Sequence, residues 1–312
     1  MAGNGRLNPM GLVKKFAPHM LHTGKAPIWL PPRMRSKNKH EVSLGRVGSL
    51  EAKLMSRGKE LRQAQRLRYN VFYKEMSAIA DAHTQLTRRD KDAYDRICDH
   101  ILVFDHDNHV KRKPFTKAVP RIVGTYRVLR QDVAEQHNGF YTASEYDIAP
   151  VMKANSNLRF MELGRSCVLK PYRTKKTVEL LWYAIWHYVL MHNVDVMIGC
   201  ASIEGTNPQE LAEQLSFLHH YCGAPDEWNV SALPDQYVNM NLMKKEEVNQ
   251  KAALRALPPL IKGYLRLGAY IGDGAVIDQQ FGTTDVLIIM PVSRLNSRHI
   301  NYFGLDASRY SS

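Results

Sequence analysis

Cysteine is scarce in this 312-residue chain: Cys98, Cys167, Cys200 and Cys222 are the only four, none at CxxC spacing and all within stretches that read as strand or core. Neither a zinc site nor a disulfide framework is expected from them. Long apolar runs are also missing. The best one is interrupted by His187, His192, Asn193 and Asp195 and falls short of the ~18–20 residues needed to cross a bilayer. Lys14, Lys15, His19 and His22 break up any signal-peptide core. A cytoplasmic location is the expectation, with contact to a membrane from outside left open. GxSxG, HExxH and GxxxxGK(S/T) are absent, and GAYIGDGAV at 268–276 is too irregular for GxGxxG. Nucleophilic, zinc and nucleotide-triphosphate chemistry therefore have no motif behind them. No internal repeat is visible.

Acidic residues are thin in the first quarter. Residues 1–75 hold sixteen Lys and Arg against four Asp and Glu, whereas the rest of the chain is balanced at 27 against 26. Such a cation faces nucleic acid, an anionic bilayer or an acidic partner. Aromatics able to stack bases are few there, Phe16 and Trp29 being the main ones before Tyr69, which argues against nucleic acid. Residues 1–47, rich in Pro, Gly, Lys and Arg, read as a basic arm with IWLPPRMR (28–35) as an apolar anchor. Residues 48–292 read as the folded domain and 293–312 as a tail.

The centre of that domain is NLRFMELGRSCVLKPYRTKKTVELLWYAIWHYVLM, 157–191. Leu158, Phe160, Glu162, Arg165, Val168 and Leu169 suggest a half-buried strand. A basic turn follows, with Lys170, Arg173, Lys175 and Lys176, and Thr174 or Thr177 can cap the helix that opens there. Val178, Leu181, Trp182, Ile185, Trp186 and Val189 give that helix an apolar face. Strand, cationic turn and helix N-terminus form an anion site suited to a phosphate-bearing ligand, or only a solvated basic turn. By strict alternation Glu162 and Arg165 face opposite sides. A bulge at Gly164 would bring them together, as catalytic groups or as a structural ion pair.

Around this centre the chain reads as alternating elements. Leu50 to Met55 is a strand, and Leu61, Ala64, Leu67, Val71 and Phe72 form the stripe of a helix with Arg68 at its edge, an exposed charge by default. If 91–99 is helical, Asp92, Asp95 and Asp99 share one face and call for a cation: a metal, an arginine of the same chain or an ammonium substrate. A metal is the least supported, since no further ligand falls at suitable spacing. Residues 100–105 and 121–129, the latter with Arg127, are strands around a long basic loop, and 131–156 is polar and irregular. Further on, 194–202 is a strand, a helix runs from Pro208 to near Gly223, 237–243 is a strand, 246–256 is helical and 259–268 a short helix. Gly268, Gly272, Gly274 and Gly282 make the next piece a loop before a strand at 285–290.

This order of elements resembles the GNAT acyltransferase fold, an α/β architecture with a mixed central sheet flanked by helices. LRYNVFYKEM (67–76), DAYD (92–95), GTYRV (124–128) and MELGRSCV (161–168) resemble the motifs of acyl-homoserine-lactone synthases. LPPLIKGYLRLGA (257–269) and GDGAVIDQQFGTTDVLIIM (272–290) look more like the related hemolysin-type L-ornithine N-alpha-acyltransferases, which make lyso-ornithine lipid. The resemblance covers roughly 49–291. It implies an acyl donor on the phosphopantetheine arm of acyl carrier protein, L-ornithine as acceptor and no tightly bound cofactor. It implies Glu162 as general base beside Arg165, with Arg68 or Arg127 on the acceptor carboxylate and Asp92 or Asp95 on the side-chain ammonium. KPYRTKKTV (170–178) stands where acetyl-CoA users carry a glycine-rich pyrophosphate loop. It gives Arg173, Lys175, Lys176 and Thr177 to the phosphate and the acidic carrier. The basic arm then serves as a reversible anchor to an anionic inner leaflet, a partner expected in place of nucleic acid. Two other readings stay open: a signal synthase using S-adenosylmethionine, and a non-enzymatic basic adaptor on a degenerate core.

Overall fold

Alternating side chains on eight strands create one sheet with two unlike faces, and the computed structural model describes it through residues 42–111 and 118–295. The strands are β1 (Ser43–Val47), β2 (Leu50–Leu54), β3 (Asp99–Val110), β4 (Val119–Arg130), β5 (Phe160–Val168), β6 (Val196–Glu204), β7 (Tyr270–Asp278) and β8 (Thr283–Pro291). Their spatial order is β1-β2-β3-β4-β5-β6-β8-β7. Only the β5–β6 pair is parallel, joined by a helical crossover; the other pairs are antiparallel.

The helices among the described residues are α1 (Gly58–Tyr69), α2 (Ala82–Thr87), α3 (Gln131–Ala134), α4 (Ala149–Ala154), α5 (Lys175–His192), α6 (Ala212–Cys222), α7 (Gln250–Ala256) and α8 (Pro259–Leu267). On one face α5, α6, α7 and α8 bury Leu180, Ile185, Leu215, Leu218, Ala253 and Ile261 against Ala52, Ile101, Val103, Met161, Met197 and Ile288. On the other, α1 packs Ala64 and Leu67, and the π-helical turn that follows it (Asn70–Glu75) packs Val71, on Leu102 and Ile122. Beside it, Phe140, Tyr146, Ile148 and Val151 cover Leu129, Phe160, Ile198 and Leu287. The mixed α/β GNAT architecture expected from the motif order is present. No helix of the described residues is long and apolar enough to cross a membrane.

β5 and β6 stay in register for only Phe160–Glu162 against Val196–Ile198, and then part. Gly199 sits where they part: a Cβ there would lie 2.3 Å from the Leu163 carbonyl oxygen, so only glycine admits this approach. The parted strands leave the edge of β5 open beyond Glu162.

Several elements differ from the expectation. β1 falls inside the stretch read as arm, since only Leu44 of SLGRV carries a core signal; residues 1–41 of the arm lie outside the described residues, as does most of the tail. β3 runs on through 106–110, into the stretch read as loop, and 112–117 lie outside the described residues. Residues 208–211 form turns, so the helix expected from Pro208 begins at Ala212. The predicted 237–243 strand makes only a bridge from Val238 to Ala275, although its side chains do alternate in burial. The predicted glycine-rich loop is instead strand β7. Its glycines answer to crowding: a Cβ on Gly274, at φ +77°, would meet the Tyr237 ring at 2.5 Å.

Candidate active site

The charged motifs meet on the face shared by α1 and the 131–154 segment. Arg68, on the last turn of α1, is 0 % exposed rather than a surface charge. Its Nε lies 2.6 Å from Asp90 Oδ2, and Nη2 donates to both oxygens of Asp95 at 2.7 and 2.8 Å and to the Asp90 carbonyl at 2.8 Å. Gln65 Nε2 adds a bond of 2.9 Å to Asp95. Burial alone would raise the Asp95 carboxyl, but the Arg68 bonds and charge, with Gln65 and Arg127, outweigh it and hold it at about 2. Arg68 and Asp95, both expected on the acceptor, are thus enclosed and occupied by each other.

The Asp92–Asp99 segment is not the helix predicted. It is a short 3-10 turn, Ala93–Arg96, capped by Asp92, whose side chain accepts from the Asp95 amide at 3.1 Å. Asp99 opens β3 and leaves the group, bonding Arg130 at 3.0 Å and the Tyr188 hydroxyl at 2.6 Å. Of the three cations the acids called for, an arginine of the same chain is the one present. Arg127 Nη1 lies 2.7 and 2.6 Å from the two Asp92 oxygens and 3.4 Å from Asp95.

Glu162 and Arg165 do reach one side of β5, through a bulge one residue later than predicted. Thr125 and Arg127 of β4 face Cys167 and Gly164, so β5 carries an extra residue there, and Arg165 itself takes φ +49°. Its guanidinium lies 3.5 Å from Asp92 and 3.8 Å from Asp90, over the rings of Tyr141 at 5.3 Å and Phe281 at 5.0 Å. Glu162 accepts three hydrogen bonds: Tyr141 N at 3.0 Å, Thr142 N at 2.6 Å and Thr142 Oγ1 at 2.5 Å. Burial pushes its carboxyl up while those bonds and Arg127 pull it down; the net direction is upward. Asp92 and Arg165 are the members of this network most open to solvent, with side-chain exposures of 24 % and 18 %.

At the cationic turn, Thr174 is the cap of α5, accepting from Thr177 N at 3.3 Å. Thr177 is fully buried with its hydroxyl turned to Thr174, so its side chain is not presented to a phosphate. Arg173, Lys175 and Lys176 are exposed. Arg173 bonds Glu75 and the Val168 carbonyl, the end of β5, which ties this cationic surface to the strand that carries Glu162.

Asp90, Tyr141, Thr142, Glu145 and Phe281 belong to the site and were not foreseen. Asp90 lies two residues before the acidic motif and was within reach of inspection. The 141–145 turn carried no periodic signal, and Phe281 is delivered by the β7–β8 turn from the far end of the chain.

The chain is similar to known proteins along most of its length. Residues 67–183 match the family described as the acetyltransferase (GNAT) domain. The L-ornithine N(alpha)-acyltransferase of Brucella abortus (strain 2308) is 50% identical over 275 residues, 88% of this chain and 96% of that protein. The enzymes of the same name from Rhizobium meliloti (strain 1021) and Agrobacterium fabrum (strain C58 / ATCC 33970) are 52% and 49% identical. They span 86% and 90% of this chain and 89% and 94% of their own lengths. Identity at that level over nearly the whole of each relative, with the charged network folded onto a GNAT sheet, makes this chain an acyltransferase of the L-ornithine N(alpha)-acyltransferase family.

Proposed function

We propose that the protein moves a (3-hydroxy)fatty acyl group from acyl carrier protein to the α-amine of L-ornithine, giving lyso-ornithine lipid. The observation that carries this is the convergence of Glu162, Arg165 and the Asp92–Arg127 pair where β5 leaves β6, on a strand whose far end holds the cationic turn. A thioester entering over that turn would bring its carbonyl to the open edge of β5.

In this reading Arg165, backed by Arg127, holds the ornithine carboxylate; Arg68 and Asp95 brace the network from behind. The α-ammonium gives a proton to Glu162 through a water, because three of the roughly four acceptor directions of that carboxylate are already used. The free amine attacks the thioester carbonyl, the C–N bond forms, and the tetrahedral oxyanion is met by backbone N–H groups of β5 near Ser166 to Val168. The C–S bond then breaks. The sulfur leaves as thiolate with little acid assistance, its thiol pKa being near ~8.5, and takes up the second proton that the nitrogen sheds as the amide forms. Arg173, Lys175 and Lys176 meet the phosphate and the acidic carrier. Lys175 and Lys176 lie in the first turn of α5, which holds no acidic residue, against the helix dipole; Lys175 pairs with Glu179 of the next turn, 3.7 Å away, and the turn favours an anionic guest. The basic first quarter docks the enzyme on an anionic membrane that takes up the product.

The test is to incubate purified protein with 3-hydroxyacyl carrier protein and either ornithine or S-adenosylmethionine, following thiol release and product mass. An ornithine amide is expected; a lactone from the second mixture, or no release in both, would overturn the assignment. Glu162→Gln is expected to lower turnover by roughly 10²–10⁴-fold, and full activity would remove Glu162 as the base.

A further inference from the structure

Beside the balanced network lies a second charged group that has no counter-ion of its own. Glu145 follows the turn that Glu162 anchors, and its thiol neighbour is Cys200 of β6, which hydrogen-bonds to it. Asp285 of β8 stands in register with Ser202 of β6 on one side and Val276 of β7 on the other, and Asp278 lies two residues beyond Val276 on the same face. Glu145 and Asp285 are 7 % and 8 % exposed. Thr283 Oγ1 donates to Asp285 Oδ1 at 2.9 Å and Phe281 N to Asp278 Oδ1 at 3.0 Å, whereas Glu145 Oε2 is buried with no hydrogen-bond partner among the described residues. The charges of Asp285 and Asp278 both bear on Glu145, and Arg165 is the cation acting on it. Ser202 at the rim is exposed, so the group opens to solvent.

Buried carboxylates stay charged only when a cation meets them. Arg165 does not pair with Glu145: the carboxylates within 4 Å of it are Asp90 and Asp92. Among the described residues no three His, Cys, Asp or Glu side chains converge as ligands for a metal ion. An alkylammonium needs no convergent ligand set and brings three N–H donors.

We propose that Glu145, Asp278 and Asp285 receive the side-chain ammonium of the amino-acid acceptor, with the unpartnered Glu145 oxygen as its principal contact. This rests on ornithine as acceptor and adds how a second amine is recognised. Arg165 stands between the two groups, so an acceptor whose carboxylate meets Arg165 extends its side chain toward Glu145. An acceptor without the second amine leaves a buried oxygen unpaired, which is the strongest kind of discrimination a polar site makes.

The experiment compares kcat/KM for ornithine and norvaline, which lacks the terminal amine, using acyl carrier protein as donor. Wild-type protein is expected to prefer ornithine by about 100-fold or more. In Glu145→Gln the preference should shrink to under about tenfold, chiefly by loss on ornithine. Asp278→Asn, at the half-exposed rim, keeps the Oδ1 that accepts from Phe281 N and should shrink it less. Norvaline turnover by either variant shows that it is folded. An undiminished preference in both variants, or a parallel fall on both substrates, overturns the proposal while leaving ornithine acylation standing. No acylation of ornithine by the wild type overturns both.

Discussion

Two groups of buried and half-buried acids share one face of the sheet and differ in how their charge is met. In the first, Asp90, Asp92 and Asp95 are answered one for one by Arg68, Arg127 and Arg165, and Asp95 is held at about 2. In the second, Glu145, Asp278 and Asp285 have hydroxyl, amide and thiol neighbours and one distant guanidinium. Burial there, with Asp285 and Asp278 adding to it, pushes Glu145 up to about 7. The first group carries its own cations: Arg68 with Asp90 and Asp95 works as framework, and Arg165 stands at its more open edge. The second is stable as a charged group only with a cation supplied from outside, which is what a substrate site looks like before its substrate arrives.

The largest effect expected is from breaking the first group. Arg68→Met removes the guanidinium and leaves Asp90 and Asp95 buried against one another, a loss of about 3–5 kcal/mol in denaturant unfolding. A loss under about 1 kcal/mol would mean that the network is not the framework described.

Next is the second group, where the sign reverses. Glu145 has its native pKa raised from 4.5 to about 7, so between those values the folded state holds a proton that the unfolded chain has released. Stability from this group therefore falls as pH rises from 4.5 to 7, by at most about 3 kcal/mol. Glu145→Gln should flatten that slope and gain about 1–3 kcal/mol at pH 8. A destabilised variant at pH 8 would place the two groups in the same class.

The contrast was only half legible in the sequence. The strand with Glu162 and Arg165, the following basic turn and the helix behind it were visible as period and composition, and even the bulge was anticipated one residue early. Arg68 was not legible as buried, because helical periodicity reports the apolar stripe and not the two aspartates, 22 and 27 residues further on, that return to neutralise it. Glu145 was invisible for a related reason. It lies in a stretch without period, and its company comes from β6, β7 and β8. β7 looks like a loop in the sequence because its glycines, required by the Tyr237 ring and the Val230 carbonyl, resemble turn residues when the contacts are unknown.

A smaller effect separates the two groups at the acid end. Asp95 has its pKa lowered from 3.8 to about 2, so its contribution is complete above pH 3.8 and is lost as pH falls toward 2. The loss is about 2 kcal/mol, seen as a falling denaturation midpoint across that window. Arg68→Met should abolish this part of the pH dependence and leave the slope above pH 4.5 intact. Loss of both slopes together would show the two groups to be one coupled system.

The smallest effect on stability is expected from the exposed cations, which belong to neither group. Arg173→Glu, Lys175→Glu and Lys176→Glu together give up the surface pair with Glu75 and the 3.7 Å pair of Lys175 with Glu179. Such pairs are worth about 0–1 kcal/mol each. In exchange, two acids enter the first turn of α5, where each gains about 0.3–1 kcal/mol from the helix dipole. The melting temperature should therefore hold or rise slightly. Affinity for acyl carrier protein, measured by titration at two salt concentrations, should fall and lose its salt dependence. If affinity is unchanged while stability drops, these residues are framework too, and the acidic carrier must dock elsewhere. If stability holds while affinity falls, the cationic turn is surface kept for a partner, as the acids around Glu145 are a buried group kept for one.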